Sequence, residues 1–153
     1  MVIDLIARLT LAAAPATVFA LTLDAHRFPT LFRGFGPIPA LTRISLHAAP
    51  AVGCSRTVES ADGGRMTECI TALEPGHRHA YSLSGFRPPL SWLVRAGHAD
   101  WQFTANGDGT TVVWRYRFEL TTPLVWPLAA PLLKIFMQGA MRRCLLAMAQ
   151  ALA

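Results

Sequence analysis

Hydrophobic and polar residues alternate with a period of two over most of the chain from residue 40 to residue 121, the pattern of half-buried β-strands. The alternation is clearest near the end of this region, where one face carries Val112, Trp114, Tyr116, Phe118 and Leu120, and the other carries Arg115, Arg117 and Glu119. Glycine- and proline-containing turns divide the region into strands at 41–47, 54–60, 65–74, 77–84, 93–105 and 110–121. The pattern predicts antiparallel strands with one face on a core and the other face solvated.

The segments on either side of this region are predicted to be mainly helical. Residues 2–11 read as a first strand, and Pro15 suits the first position of a short helix that ends near Asp24. A second helical turn follows at 27–36. After Pro123 the chain becomes helical again, and an uninterrupted helix is expected from about Pro131. An apolar stripe is expected along this last helix at Leu132, Ile135, Phe136, Gly139, Leu146 and Ala149 or Gln150.

The turn lengths predict how the strands face one another. A loop at 106–109 places Trp101 opposite Trp114 and Phe103 opposite Val112, so that aromatic residues meet on one face. A two-residue turn at Pro75-Gly76 places Ile70 opposite Tyr81 and Glu68 opposite Leu83. Glu68 is therefore expected on the inner, apolar face of the sheet.

The position of Arg56 depends on the turn at 61–64, and two registers are open. An even-numbered loop puts Arg56 on the face opposite to Glu68, whereas a bulge at Gly63 or Gly64 brings it directly opposite Glu68. In the second register the two side chains form an ion pair, which offsets the cost of an inward carboxylate. An arginine partner is expected to lower the pKa of Glu68 and to make it a weak general base.

Composition limits the classes of function. The 153 residues fit one domain, 52% of them are hydrophobic and only 15% are charged, which suggests a large interior or an apolar cavity. The net charge of +5 comes from scattered basic residues, so no nucleic-acid surface is predicted. Three cysteines without metal-ligand spacing are expected to be reduced. His77 and His79 lack an evident third ligand, and neither a metal site nor a cofactor is predicted.

Two apolar segments raise the question of targeting. Residues 9–23 resemble a signal peptide, but Asp4 stands where a basic region is expected and no cleavage motif follows. Lys134, Gln138, Arg142 and Arg143 interrupt the apolar stretch after Leu124, and no membrane span is predicted. The expectation is a cytoplasmic protein of undetermined oligomeric state.

The order of elements resembles the helix-grip fold of the START-related, polyketide-cyclase-like superfamily, often called SRPBCC. Three stretches carry the resemblance: APATVFALTLD followed by FP, the hairpin region VGCSRTVESADGGRMTECITALEPGHRHAYSLSG, and GDGTTVVWRYRFEL. The resemblance implies an α+β fold, with a curved antiparallel sheet of six or seven strands wrapped around a long C-terminal helix and two short helices after the first strand. It also implies a hydrophobic cavity between sheet and helix, and it favours the bulged register of Arg56.

The expected function is binding of a small hydrophobic or aromatic ligand in that cavity, for transport or sensing. Candidate ligand-binding residues are Arg56, Glu68, Tyr81, Arg95, Trp101, Phe103, Trp114 and Tyr116; Arg95 is placed on the inner face by strand parity. The loop at 85–93 is expected to form an apolar rim. No nucleophile–base motif points to catalysis. Two alternatives stay open: an aromatase- or cyclase-like enzyme, and a protein–protein interaction module.

Overall fold

Seven β-strands and five α-helices make up the computed structural model, which describes residues 1–153. The strands are β1 (Val2–Leu11), β2 (Leu41–Leu46), β3 (Ser55–Ser60), β4 (Arg65–Glu74), β5 (Arg78–Ser84), β6 (Val94–Asn106) and β7 (Gly109–Leu120). The helices are α1 (Pro15–Leu23), α2 (Phe28–Leu31), α3 (Leu90–Leu93), α4 (Trp126–Pro131) and α5 (Gln138–Ala151). The α+β architecture predicted from the sequence is confirmed, apart from α3, which was expected to be part of a loop.

The strands form one antiparallel sheet in the order β1-β7-β6-β5-β4-β3-β2, so the first strand lies beside the last. Both predicted pairings of β6 with β7 are present, Trp101 with Trp114 and Phe103 with Val112. The two tryptophan rings stack with centroids 4.0 Å apart. The inner face of the sheet buries these aromatic residues against the helices, which makes it the main wall of the core.

The β3–β4 turn adopts the bulged register. Gly63 has φ of +85°, a conformation that glycine adopts without a steric penalty, and the backbone N–H of Ser60 donates to the Gly64 carbonyl at 3.0 Å. The odd-numbered turn places Arg56 directly opposite Glu68. On the other side of β4, Glu68 pairs with Leu83, as the Pro75-Gly76 turn predicts.

A second bulge corrects the predicted position of Arg95. The β6–β7 register shifts between Val94 and Ala96, and this shift reverses the direction in which Arg95 points. Its side chain is 68% exposed and lies 3.7 Å from the Glu119 carboxylate on the outer face. Strand parity was therefore the wrong guide here, because an inserted residue changes which face its neighbours occupy.

The chain becomes helical at Pro123, as predicted, but its continuous helical segment begins before Pro131. A 3-10 turn at Pro123–Val125 leads into α4, and a π-helical segment at Leu132–Met137 joins α4 to α5. Pro127 lies in the first turn of α4, where its missing N–H is not needed, whereas Pro131 removes a donor inside the helical segment. The wider helical turns follow directly after this proline.

The face that this segment turns to the sheet also differs from the prediction. The buried residues are Ala129, Ala130, Leu133, Met137, Ala140, Met141, Cys144, Leu145, Ala147 and Met148. Ile135 and Leu146, which the predicted stripe included, are 58% and 54% exposed. Because the helix is apolar on most sides, hydrophobicity alone did not distinguish its inner face.

The whole helical stretch from Pro123 to Ala151 is 29 residues long and apolar enough to cross a membrane by length and composition. In the fold, however, α5 packs on β1 and α2, and its inner face belongs to the hydrophobic core. It is therefore the core helix of this domain.

Candidate functional site

A cavity of about 190 Å³ lies between the inner face of the sheet and the helical segments. Side chains from the α2 region, from β2 to β5, from β7, from the β5–β6 connection and from the π-helical segment line it, and 18 of these 27 residues are hydrophobic. The cavity is therefore suited to an apolar ligand that meets a small number of polar groups.

Glu68 is the buried acidic group of the cavity wall. It is 4% exposed, and one of its oxygens accepts a hydrogen bond from Arg56 Nη2 at 2.5 Å. Arg56 is 3% exposed and does not line the cavity, and its Nε and Nη1 atoms have no hydrogen-bond partner. The predicted ion pair is confirmed, and only its carboxylate side borders the ligand space.

The acid–base state of Glu68 differs from the expectation. Burial raises the pKa of Glu68 above its ordinary value, and the Arg56 guanidinium offsets only part of that rise. Arg56 lowers the pKa of Glu68, as predicted, but desolvation outweighs this attraction, so the net shift is upward and not downward. A carboxyl group with a raised pKa can exchange a proton closer to neutral pH than an exposed one.

Two tyrosines add hydroxyl groups to the same wall. Tyr81 and Tyr116 line the cavity, and their rings meet edge to face with centroids 6.4 Å apart. Burial raises the pKa of both phenols, and the Glu68 carboxylate adds to the rise, so both hydroxyls stay protonated and can donate hydrogen bonds. Tyr81 pairs with Ile70 across the β4–β5 ladder, two positions from the pairing of Glu68.

The four predicted aromatic residues of β6 and β7 divide into two groups. Trp114 and Tyr116 line the cavity. Trp101 and Phe103 pack against the first helices instead: Phe28 meets Trp101 at 5.9 Å between ring centroids, and Phe19 meets Phe103 at 5.8 Å. These two residues shape the core beside the cavity but do not border it, and neither does Arg95 on the outer face.

The cavity opens between the β3–β4 turn and the β5–β6 connection. Asp62 and Arg87 are exposed cavity-lining residues from these two segments, and Arg87 Nη1 donates to the Asp62 carbonyl at 2.7 Å. The Asp62 carboxylate accepts hydrogen bonds from Ser60 and from the Gly64 backbone, which lower its pKa and hold the turn in place. Phe86, Pro88 and Pro89 complete an apolar rim, as predicted for this loop, whereas Trp92, also expected there, does not line the cavity.

Several lining residues were not among the sequence candidates. Met66 and Leu83 share the inner face with Glu68, and strand alternation identifies that face. Phe28 of α2, Phe32 directly after it and Met137 of the π-helical segment reach the cavity only through the tertiary packing. No group of three His, Cys, Asp or Glu side chains is placed to hold a metal ion.

Comparison with known proteins places this arrangement in a family. The family model described as "Polyketide cyclase / dehydrase and lipid transport" matches residues 5–153. No curated protein matches the sequence significantly.

Solved structures share the fold at low sequence identity. A protein from Thermus thermophilus superposes with a TM-score of 0.75 and 17% identity, covering 98% of this chain and 97% of that one. The di-domain ARO/CYC StfQ of the steffimycin biosynthetic pathway gives a TM-score of 0.73 and 17% identity over 99% of this chain and 51% of StfQ. Norcoclaurine synthase from Thalictrum flavum, solved with dopamine and hydroxybenzaldehyde, gives a TM-score of 0.69 and 14% identity over 99% of this chain and 86% of the synthase. At such identities the likeness shows the fold alone.

Proposed function

The chain belongs to the polyketide cyclase / dehydrase and lipid transport family, and we propose that it binds a small apolar or aromatic ligand in the cavity between sheet and helix. The proposal rests mainly on the two kinds of side chain in the cavity wall. Hydrophobic side chains form most of it, while Glu68, Tyr81 and Tyr116 contribute buried polar groups. Such a wall favours an apolar body with a polar substituent directed at these groups.

The dimensions restrict the ligand. A dry cavity of roughly 150 Å³ accommodates benzene, so the 190 Å³ here fit about one aromatic ring with short substituents. A longer ligand would project past the exposed lining residues of the β3–β4 turn and the β5–β6 connection. Because both tyrosine hydroxyls stay protonated and can donate, we infer that the polar end of the ligand is a hydrogen-bond acceptor such as a carbonyl or an ether oxygen.

Native mass spectrometry of the purified protein, followed by organic extraction, tests the proposal by identifying a co-purifying ligand. Thermal shift against a panel of single-ring aromatic ketones and short fatty acids provides the second measurement. The variant Met66→Trp fills the cavity and should abolish both signals. Thr67→Trp places the same side chain on the exposed face of the same strand and should leave them unchanged. Absence of any ligand and of any thermal shift in the unmodified protein would contradict the proposal.

A second candidate function is cyclase-like catalysis on a bound carbonyl compound. Glu68 supports it, because this carboxyl group borders the cavity and has a raised pKa that suits proton transfer. Positioning by the cavity and a single acid–base group would supply the catalysis. Glu68→Gln should then abolish turnover of a poly-β-keto substrate while ligand binding persists. If no product forms with any substrate that binds, the protein is a carrier or a sensor.

A further inference from the structure

Two segments that line the cavity on their inner side expose hydrophobic side chains on their outer side. In the β5–β6 connection, Leu90 and Leu93 line the cavity, whereas Trp92 between them is 69% exposed. In the stretch 123–135, Leu132 and Leu133 line the cavity, whereas Leu124 and Leu128 are 87% and 69% exposed. Exposed residues of this size usually occur singly, so their grouping calls for a function.

The exposed surface of residues 123–135 has almost no polar side chain. Its exposed residues are Pro123, Leu124, Trp126, Pro127, Leu128, Pro131, Lys134 and Ile135, and only Lys134 carries a charge. Protein–protein interfaces typically carry about one hydrogen bond for every 100–200 Å². This surface offers few side-chain donors, so it resembles only the most apolar protein interfaces, and the charges nearby distinguish a protein partner from a membrane.

The two segments lie side by side. At the end of β7, the Thr121 backbone N–H donates to the Leu93 carbonyl at 3.0 Å, and the Thr121 hydroxyl donates to the Trp92 carbonyl at 2.7 Å. Helix α3 also contacts α4. Trp92, Leu124, Trp126 and Leu128 therefore belong to one region next to the cavity, which we name the entrance patch.

The two segments that carry the entrance patch contain basic but no acidic residues. Residues 85–98 and 120–135 contain no Asp or Glu, but they contain Arg87, Arg95 and Lys134. Lys134 Nζ lies 5.7 Å from the centre of the Trp126 ring, and Arg95 is paired with Glu119. On the β3–β4 turn, Asp62 keeps its negative charge, because the hydrogen bonds from Ser60 and Gly64 lower its pKa, and the Arg87 guanidinium lies beside it. Tryptophan and leucine bordered by basic residues are typical of surfaces that lie in the interface of an anionic bilayer.

We propose that the entrance patch docks the protein on anionic phospholipid membranes. The apolar side chains enter the boundary between headgroups and acyl chains, and the basic residues remain among the lipid phosphates. This orientation turns the cavity-lining segments toward the lipid, so an apolar ligand could pass between membrane and cavity. Docking itself does not depend on the proposed ligand-binding function.

Vesicle sedimentation tests the docking. Vesicles of phosphatidylcholine alone are compared with vesicles that also contain phosphatidylglycerol, and the protein should sediment strongly only with the second. The variant Trp92→Ser/Leu124→Ser/Leu128→Ser should lower the partition coefficient about tenfold or more, given the apolar area removed. Added salt should weaken binding by screening the basic residues. The fluorescence of the wild-type protein should shift to the blue, because Trp92 and Trp126 are exposed while Trp101 and Trp114 are buried.

A matched control uses exposed apolar residues elsewhere. Ile6 and Leu146 are 43% and 54% exposed and line a different surface groove. The variant Ile6→Ser/Leu146→Ser should bind vesicles as the wild type does. Equal binding by the patch variant, or no binding by the wild type to either vesicle, would overturn the proposal. The proposal would also be overturned if the wild type forms a dimer in sedimentation velocity, the patch variant is a monomer, and neither protein binds vesicles.

The same variants separate this inference from the proposed function. Met66→Trp should lose the ligand and still dock on vesicles, whereas the patch variant should lose docking and still show thermal shifts with soluble aromatic ligands. Circular dichroism and thermal melting of each variant show that the fold is retained. A patch variant that fails in both assays with a native melting temperature would overturn the inference, because the patch would then belong to the ligand site.

Discussion

Arg56 and Glu68 contact each other at 2.5 Å across facing positions of β3 and β4, and solvent reaches only 3% and 4% of the two residues. The pair is held by a single hydrogen bond, so two of the three guanidinium nitrogens remain without a partner. The single hydrogen bond therefore offsets only part of the free-energy cost of removing both charged groups from water.

Removing one member of this pair should be costlier than removing both. Arg56→Met leaves the carboxyl group buried alone, and we expect a loss of about 3–5 kcal/mol in the free energy of unfolding. The double variant Arg56→Met/Glu68→Met should recover part of that loss. Urea denaturation measures all three proteins. Arg65→Met is the control, because Arg65 is exposed and its pair with the half-buried Glu59 should contribute less than about 1 kcal/mol. Equal losses in the single and double variants would contradict this account.

His79 should make the fold sensitive to mild acid. It is fully buried, its Nδ1 lies 3.2 Å from the Thr22 hydroxyl, and burial together with the Arg56 charge lowers its pKa to about 3. The unfolded chain therefore binds a proton below about pH 6.5 that the folded chain does not bind, so stability falls as pH decreases from about 6.5. The expected loss is about 1.4 kcal/mol per pH unit well below that point.

The pH dependence is measured against His79→Gln, which keeps a polar side chain beside Thr22. Unfolding free energies at about pH 7 and about pH 5 should differ by less in this variant than in the wild type, whatever its absolute stability. Glu68 has a raised pKa and acts in the opposite direction, but it is common to both proteins and cancels in the comparison. Parallel pH profiles would show that His79 titrates normally in the fold.

Gly97 provides the space that the aromatic rings of β7 occupy. A Cβ atom at this position would lie 2.7 Å from Tyr116 Cε1 and 3.1 Å from Phe118 Cε1, so the rings would have to move. We expect Gly97→Ala to cost about 1–3 kcal/mol. Gly97→Ala should cost less stability in a Tyr116→Leu background than in the wild type. A double-mutant cycle measured by thermal melting tests this. An additive cycle would mean that Tyr116 does not provide the steric conflict.

Gly63 should matter for the cavity opening as well as for the turn. Its φ of +85° penalises any side chain, and a Cβ atom would lie 2.6 Å from Arg87 Nη1. Gly53 has a similar φ of +87° with nothing within 4 Å, so Gly53→Ala carries the backbone cost alone, about 1 kcal/mol. Gly63→Ala should be slightly more destabilising in a urea titration, because the flexible Arg87 side chain must move and give up its hydrogen bond to the Asp62 carbonyl. Equal losses would mean that Arg87 moves freely away from the turn.

Much of the sheet could be predicted from local sequence. Turn length and alternation together determine register, because a strand side chain changes face at every residue. The pairings of Trp101 with Trp114 and of Glu68 with Leu83 followed from this rule and are present in the fold. The short helices after β1 followed from the proline at residue 15 and from the apolar segments around it.

Other features depended on contacts between distant segments. For Arg56, local rules left two registers open, and for Arg95 they indicated the wrong face, since a bulge is not visible in alternation. The terminal helix is apolar on most sides, so only packing against β1 and α2 selected Met137 and Met141 as inner residues rather than Ile135. The pattern of hydrophobic and polar positions along the sequence thus determined that an amphipathic sheet would pack against an apolar helix. Tertiary packing decided which side chains border the cavity. It also decided that burial raises the pKa of Glu68 despite Arg56, because desolvation depends on the groups that surround the carboxylate in space.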